Sequence, residues 1–336
     1  MILGVWAHPT REFPEGQDSV TDVRAWLGKL RDAGISIYLP FVSSSSGHVF
    51  DSPVLGEPQR DLLGPIVEQA AELDMEVHPI VGLGGVTPGF SDSQGFYVPM
   101  QREDEEMPSW SAHWGDPAWD ENVEHIVDIG TGILEDYDCD GLHMDAVRYP
   151  NSAALNDHPC VCERCCEARQ QWLGKPVPDA EDLANPAVSY LEVEMRNRFV
   201  SALAWDLTSE CRTRGLYISL AARARYLKDA VVEGQDWSAW CRQGILDFVC
   251  PMSYNPCFDR FQRFVDEHLR LLDGTEVDYY PGVGRKSSLG TLSPADMIQQ
   301  LQFVRDQGIE GACIFHAAAL EDEDLRLLGE FSRESG

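Results

Sequence analysis

Short apolar runs alternate with amphipathic segments along the whole chain, and this alternation constrains the fold more than any other feature of the sequence. A run that is apolar throughout suits a strand buried on both faces. The amphipathic stretch between two such runs suits a helix that crosses back over them. The pattern predicts parallel strands at residues 2–8, 35–42, 75–81, 141–147, 217–222, 246–252, 277–283 and 311–315. Helices are predicted at 19–33, 62–73, 120–135, 188–214, 237–243, 258–272 and 294–307. Gly34 follows the first of these where a left-handed cap residue belongs, and Ser293-Pro294 opens the last. Eight strands with their crossovers describe a (β/α)8 TIM barrel of the α/β class. A doubly wound open sheet of the Rossmann type alternates in the same way, but it carries a glycine-rich phosphate turn after its first strand, and this chain has none there.

The 336 residues suit one large barrel domain over 1–336. Two connections are long. Residues 82–117 carry Phe90, Phe96, Tyr97, Trp110 and Trp114, which suits a cover over the strand ends, since long loops in compact domains are usually functional. Residues 151–186 are expected to form an irregular Cys-rich insertion after the fourth strand.

Charge narrows the partners. The chain has 56 acidic residues against 26 basic ones, a net charge of −30, and only four of the basic residues are Lys. Such a field repels phosphate backbones and anionic bilayers, so neither nucleic acid nor membrane is an expected partner, and a neutral substrate is. The same Lys-poor composition also suits a salt-adapted surface. No apolar run approaches the length of a membrane span. MILGVWAHP reads as a strand from its first residue rather than as a secretory signal, so the expected location is the cytoplasm.

In a barrel the functional site forms at the C-terminal ends of the strands, and side chains alternate between the interior and the helix layer. Leu142 and Met144 belong to the helix side of the fourth strand, which turns His143 and Asp145 inward. The same logic turns Trp6 and His8 inward from the first strand and sets His78 in phase with Glu76 and Ile80 in the third. It brings Arg223 to the mouth after the fifth strand, Met252 and Tyr254 after the sixth, and His316 after the eighth. Converging aromatic and polar groups suit a carbohydrate cleft, where ring faces stack on sugars and a few polar groups fix orientation. Packing of the barrel's top layer accounts equally for any one of them taken alone. Asp145 stands apart, because a carboxylate aimed into a barrel interior is costly to bury without a partner. Arg148, three residues on, fits either a structural ion pair or a cation that tunes a catalytic acid.

YDCDGLHMDAVRYP at 137–150 resembles the fourth-strand signature of the family 10 glycosyl-hydrolase-like barrels, a DG-x-x-x-D segment ending in an aromatic residue and Pro. In the same order, GVWAHP resembles that family's first strand, MEVHPIV the third, LDFVCPMSYNP the sixth, YYPGVG the seventh and GIEGACIF the eighth. The resemblance covers most of the chain. It implies hydrolysis of a glycosidic bond in an oligo- or polysaccharide, with no cofactor required for catalysis. It makes Asp145 the key carboxylate, nucleophile or general acid, with His143 and Arg148 completing the catalytic group by tuning its ionisation. Trp6, His8, Tyr38, His78, Trp114, Tyr149, Arg223, Tyr254 and His316 are the expected carbohydrate-binding residues. Where many relatives carry a second acid directly after the first, this chain has Ala146. A glycosidase normally needs two carboxyl groups roughly 5–10 Å apart. Asp116, Asp259, Glu321 and the acidic run at 103–106 are the loop acids within reach of the mouth. MDAV also resembles the nucleophile region of amylase-like barrels. Those carry Arg two residues before the Asp, where this chain has His143, and an acid on the fifth strand, where it has Arg223.

Of ten cysteines, Cys160, Cys162, Cys165 and Cys166 cluster, with His158 close by. Their density suits a structural zinc held by Cys160, Cys162, Cys165 and His158, since adjacent Cys165 and Cys166 do not both reach one ion. A disulfide-pinned loop is the alternative in an exported protein. CVCERCCEA also resembles a CxCxxC insertion found in a subset of the family. Two further readings stay open. One is a carbohydrate-binding barrel without catalysis, which Ala146 favours. The other is a metal-dependent barrel hydrolase using His8, His78, His143 and Asp145, although Trp6-Ala7-His8 lacks the HxH which that chemistry needs on the first strand.

Overall fold

The computed structural model describes residues 1–44, 47–84, 114–149, 162–177 and 179–334. Strand β1 is Ile2–Ala7 and β2 is Ile37–Pro40. Strand β3 is split into Glu76–Val77 and Ile80–Val81, β4 is Gly141–Met144, β5 is Tyr217–Ala222 and β6 is Phe248–Pro251. Strand β7 is split into Asp278–Tyr279 and Gly282–Gly284, and β8 is Gly311–Phe315. The helices are α1 (Pro9–Glu12), α2 (Val20–Asp32), α3 (Leu63–Glu72), α4 (Asp120–Asp136), α5 (Glu163–Leu173) and α6 (Ala180–Ala184). They continue with α7 (Pro186–Thr213), α8 (Trp237–Arg242), α9 (Phe258–Leu272), α10 (Pro294–Asp306) and α11 (Asp322–Arg333).

Among the described residues these strands form two five-stranded parallel sheets. One runs from the second half of β7 through β8, β1 and β2 to the first half of β3. The other runs from the first half of β7 through β6, β5 and β4 to the second half of β3. Both splits fall at a proline. Pro79 and Pro281 have no N–H to give a neighbour, which interrupts the ladder on one side. Their carbonyls still accept: His143 N–H donates to Pro79 O at 3.0 Å, and Cys313 N–H to Pro281 O at 3.2 Å. Phe41 also bridges to Ile80 in parallel, joining the end of β2 to the second half of β3. This mixed α/β fold, with parallel sheets and crossover helices, is consistent with a TIM-barrel-like domain.

Two apolar clusters separate the faces of the strands. The larger joins Leu3, Val5, Leu142 and Met144 to helix residues such as Leu27, Leu30, Ile66 and Leu207. The smaller consists of strand residues on the opposite face, among them Trp6, Ile37, Leu39, Ile80, Phe248 and Cys313, with Phe41, Tyr254 and Phe315 packed against it. The alternation read from β1 and β4 is the one observed.

Helix starts follow their caps. Ser19 closes a capping box with Asp22, and Ser293 Oγ accepts from Asp296 N–H at 3.1 Å. The segment expected to be irregular after β4 instead carries α5 and α6. Cys162 caps α5, Gly174 ends it at φ 75°, and an Asp179–Asp182 capping box starts α6.

Helix α5 is fastened to α7 by a buried ion-pair triad. Arg169 reaches Glu192 through two bonds, Nε to Oε2 at 2.7 Å and Nη2 to Oε1 at 2.9 Å, and Arg196 Nη2 donates to Oε1 at 3.1 Å. Burial pushes the Glu192 carboxyl up, and the two guanidiniums more than offset it, leaving it below its usual range. Glu192→Ala removes the acceptor that both buried guanidiniums share, and is expected to cost about 3–5 kcal/mol of stability. Denaturant unfolding checks this, with exposed Glu194→Ala, on the same helix, expected to stay within about 0.5 kcal/mol of the parent.

Candidate active site

The mouth is built on a buried plug. Trp6 Nε1–H donates to His143 Nε2 at 3.0 Å, and His143 Nδ1 lies 2.7 Å from Ser219 Oγ. An indole N–H only donates, so Nε2 accepts and the imidazole proton sits on Nδ1. Burial, with His78 adding to it, lowers the His143 pKa to about 3, which keeps the ring neutral.

Above the plug, β4 leads to Asp145. Its N–H donates to Val81 O at 3.1 Å, and its Oδ1 accepts the Ala146 N–H at 2.6 Å. Ala146 adopts φ 56°, a left-handed conformation that turns the chain sharply out of the strand. Gly82 backs this turn so closely that a Cβ there would lie 1.6 Å from the Asp145 carbonyl oxygen. Asp145 keeps partial exposure. Burial raises its pKa, against the pull of Arg148, the Ala146 N–H and Arg223. A carboxylic acid that holds its proton above the ordinary range, on a residue that keeps partial exposure, is suited to proton donation.

Both cations belong to a network with carboxylates from the turn after β5. Arg223 Nε lies 3.1 Å from Glu233 Oε2, and its Nη2 lies 3.4 Å from Asp229 Oδ2. Arg148 Nη1 lies 3.5 Å from Glu233 Oε2, and Arg225 Nε lies 2.7 Å from Asp229 Oδ2. Glu233 and Asp229 are 1% and 4% exposed. Burial raises the Glu233 carboxyl, with the two guanidiniums opposing. Arg148 also lies over the Trp114 ring, 4.8 Å from its centroid, and accepts the indole N–H on its carbonyl at 2.7 Å. Sequence reasoning missed both acids. Their signal was a four-residue spacing, one helical turn, directly after Arg223 and Arg225.

An aromatic wall completes the rim. Tyr254 stacks on Phe315 with centroids 4.9 Å apart and meets Trp6 edge-on at 5.8 Å. Gly284 leaves room for it, since a Cβ there would lie 2.9 Å from the Tyr254 Cβ. His8 stacks on Phe41 at 4.7 Å and meets His316 at 4.9 Å. Burial, then the neighbouring His316, lowers the His8 pKa to about 4, so the ring is uncharged at neutral pH.

The structure thus gathers Asp145, Arg148 and Arg223 in one electrostatic network, with Trp114 against Arg148, and His8, Tyr254 and His316 along the connected rim. Trp6, expected to bind carbohydrate, is instead buried in the plug beneath them. Four further expectations need correction. Tyr38 has no exposure and lies in the helix-side cluster, where its hydroxyl donates to Glu12 Oε2 at 2.8 Å. Glu12, unremarked in the sequence, also accepts the His8 and Trp26 N–H groups. His78 is fully buried, stacked against Tyr217 at the start of β5 and 3.2 Å from Glu76, so it lies toward the far end of the sheet from the mouth. Tyr149 is 3% exposed and turns its hydroxyl to Asp116 Oδ1 at 3.0 Å. His143 supports the floor, while the groups acting on Asp145 ionisation are Arg148, Ala146 and Arg223.

The loop acids fare similarly. Asp116 has no exposure and sits against thiols, Glu321 caps α11, and Asp259 is an exposed first-turn residue of α9. Phe90, Phe96, Tyr97, Trp110, the run at 103–106, His158 and Cys160 lie outside the described residues.

The raised pKa of Asp145 has a consequence for stability. The native state holds this proton more tightly than the unfolded chain does. Its contribution is therefore complete below the unfolded value of about 3.9 and is lost as pH rises through the folded value. Asp145→Asn mimics the protonated form. Its thermal midpoint is expected to exceed the parent's most at neutral pH, with the gain shrinking as pH falls toward about 4. Melting curves across pH check this, and an offset independent of pH would contradict it.

A model of the family described as glycosyl hydrolase-like 10 matches residues 19–283. Among solved structures, the chain is similar to the PgaB (BpsB) glycoside hydrolase domain from Bordetella bronchiseptica, at 14% identity and TM-score 0.76, covering 98% of each chain. It is similar to α-L-fucosidase isoenzyme 2 from Paenibacillus thiaminolyticus, at 14% identity and TM-score 0.67, covering 99% of this chain and 49% of that one. It is also similar to β-galactosidase from Marinomonas ef1, at 14% identity and TM-score 0.67, covering 100% of this chain and 59% of that one. Likeness at these identities is likeness of fold. A search of curated protein sequences finds no match. Among the described residues no helix is long and apolar enough to cross a membrane.

Proposed function

The chain belongs to the glycosyl hydrolase-like 10 family, and from that premise we propose that it is a glycoside hydrolase cleaving a glycosidic bond in an oligo- or polysaccharide. In this reading β3 and β7, each shared between the two sheets, close eight strands into one (β/α)8 barrel over residues 1–336, with 151–186 inserted after β4. Asp145 is the general acid. The observation that carries this role is the carboxyl of a residue at the end of β4 that keeps partial exposure, a carboxyl whose pKa burial has raised.

The chemistry follows from that state. The acid gives its proton to the glycosidic oxygen as the bond from that oxygen to the anomeric carbon breaks, so the leaving sugar departs as an alcohol. Arg148 and Arg223 then stabilise the carboxylate left behind. The oxygen of a water molecule forms the new bond to that carbon, and the proton this water releases later restores the acid. Tyr254 and His8 offer ring faces to the sugar, and Trp114 holds Arg148 in place. The scheme needs no cofactor. The strongly negative chain favours a neutral carbohydrate over a polyanionic one.

One observation favours a second reading, a carbohydrate-binding barrel without catalysis. Glu233 and Asp229, the carboxylates in the network around Arg148 and Arg223, are buried and paired with guanidiniums, which ill suits them to attack or to activate water. Release of reducing ends from a panel of neutral oligo- and polysaccharides separates the two. The parent is expected to release product, and Asp145→Asn to lose about 10²–10⁴ in turnover with an unchanged circular dichroism spectrum. Turnover unaffected by the substitution would refute the role of Asp145, whereas binding without product would favour the second reading. The charge of Arg148 lowers the Asp145 pKa. Arg148→Met is therefore expected to move the alkaline limb of the kcat profile to higher pH, and a shift to lower pH would contradict the assignment.

A further inference from the structure

We infer that Asp116, Cys162 and Cys165 form a binding site for a thiophilic divalent cation, zinc by its chemistry, that ties the approach to α4 to the start of α5. This does not rest on the glycosidase reading.

Asp116 lies just before α4, Cys162 is the N-cap of α5, and Cys165 is in its first turn. One donor atom from each lies within 4.8 Å of the others, and all three residues are buried. Cys162 Sγ is 2.9 Å and Cys165 Sγ 3.4 Å from the same carboxylate oxygen, Asp116 Oδ2. With metal–sulfur bonds near 2.3 Å and metal–oxygen bonds near 2.1 Å, donors around a tetrahedral zinc stand roughly 3.5 Å apart. The two sulfur–oxygen separations lie within roughly 0.7 Å of that spacing.

The surroundings suit thiolates. Trp119 Nε1–H donates to Cys162 Sγ at 3.3 Å, and the Cys165 backbone N–H donates to the same sulfur at 3.4 Å. Cys162 and Cys165 also sit at the N-cap and in the first turn of an eleven-residue helix, whose N-terminal dipole favours negative sulfur. Asp116 Oδ1 is held by the Ala118 N–H at 2.9 Å and the Tyr149 hydroxyl at 3.0 Å, which orients Oδ2 toward the sulfurs. Outer contacts of this kind set ligand orientation and basicity. Two thiolates with one carboxylate select zinc over magnesium or calcium. Among the described residues the donor set stops at three, one short of a closed tetrahedron.

Binding breaks two S–H bonds and forms two metal–sulfur bonds, with both protons passing to solvent, so affinity falls in acid. The crosslink spans 46 residues between Asp116 and Cys162. Through Tyr149, it reaches the residue next to Arg148, at the mouth. Sequence spacing alone had grouped Cys162 and Cys165 with Cys160 and His158, and Asp116 enters from a different loop.

Metal analysis of untagged protein, expressed with zinc and dialysed into metal-free buffer, tests the site. The parent and the exposed-thiol control Cys257→Ala are expected to retain about one zinc per chain, and Asp116→Asn and Cys162→Ala to lose about tenfold or more. A zinc-free parent, or Asp116→Asn that keeps its zinc, would overturn the assignment. If the variants do not fold, cobalt substitution of the parent decides. A sulfur-to-cobalt charge-transfer band with intense tetrahedral visible bands supports the site, and bound cobalt lacking the sulfur band overturns it.

Discussion

The hydrogen bond from Trp6 to His143 ties β1 in one sheet to β4 in the other, through the inner face that the strands share. A buried indole or imidazole left unpaired costs of order 1–3 kcal/mol. Here each ring satisfies the other, and Ser219 of β5 takes the remaining nitrogen. The contact fixes the phase of three strands at once. With His143 inside, the residue two positions later emerges on the same side at the strand's end, and that residue is Asp145. A slip of one residue would put Met144 in the plug and Ala146 at the mouth.

Charge at the mouth follows from how the loops are tied above that plug. Tyr149 N–H donates to Glu233 O at 2.7 Å, Gln235 Nε2 donates to Val147 O at 3.3 Å, and Arg223 N–H donates to Gln235 Oε1 at 2.8 Å. The segment after β4 and the turn after β5 are thereby held as one piece, so Arg148 and Arg223 share Glu233. Two buried carboxylates offset much of the charge of Arg148, Arg223 and the half-exposed Arg225. Asp145, at its edge, feels enough positive charge to be tolerated and too little to be ionised as readily as a surface acid. Burial is the larger influence on its proton, and the guanidiniums moderate it.

Much of this was legible where polar residues mark the phase of a strand. In β4, His and Asp alternate with Leu and Met, and the inward face reads directly. In β2, Ile37, Tyr38 and Leu39 are all large and apolar or aromatic, so nothing in the sequence says that Tyr38 points to the helices and its neighbours inward. The splits in β3 and β7 sit at Pro79 and Pro281, visible in the sequence but inside runs that read as continuous. Helix α5 escaped because its sequence, ERCCEARQQWL, has only a weak apolar face, and its packing rests on charge, through Arg169 and Glu192. Glu233 and Asp229 had only a four-residue spacing after Arg225 to announce them. Their importance comes from cations that the fold, not the sequence, brings within reach.

The distribution of ion pairs explains how such a mouth is sustained. Placing a carboxylic acid with a raised pKa, two guanidiniums and neutral histidines at one rim sacrifices stability, as sites built for chemistry or recognition commonly do. The offsetting contacts lie outside the rim. Arg285 Nε donates to Asp324 Oδ1 at 2.7 Å, joining the end of β7 to α11, and the Glu192 triad joins α5 to α7. Each is buried and hydrogen-bonded, and each ends on a helix of the outer layer. Removing either partner of such a pair leaves a charge stranded, so these pairs hold their elements in one register. The outer layer can then be rigid while Asp145 stays partly open at the rim, and its proton is governed by loops that the outer layer keeps in place.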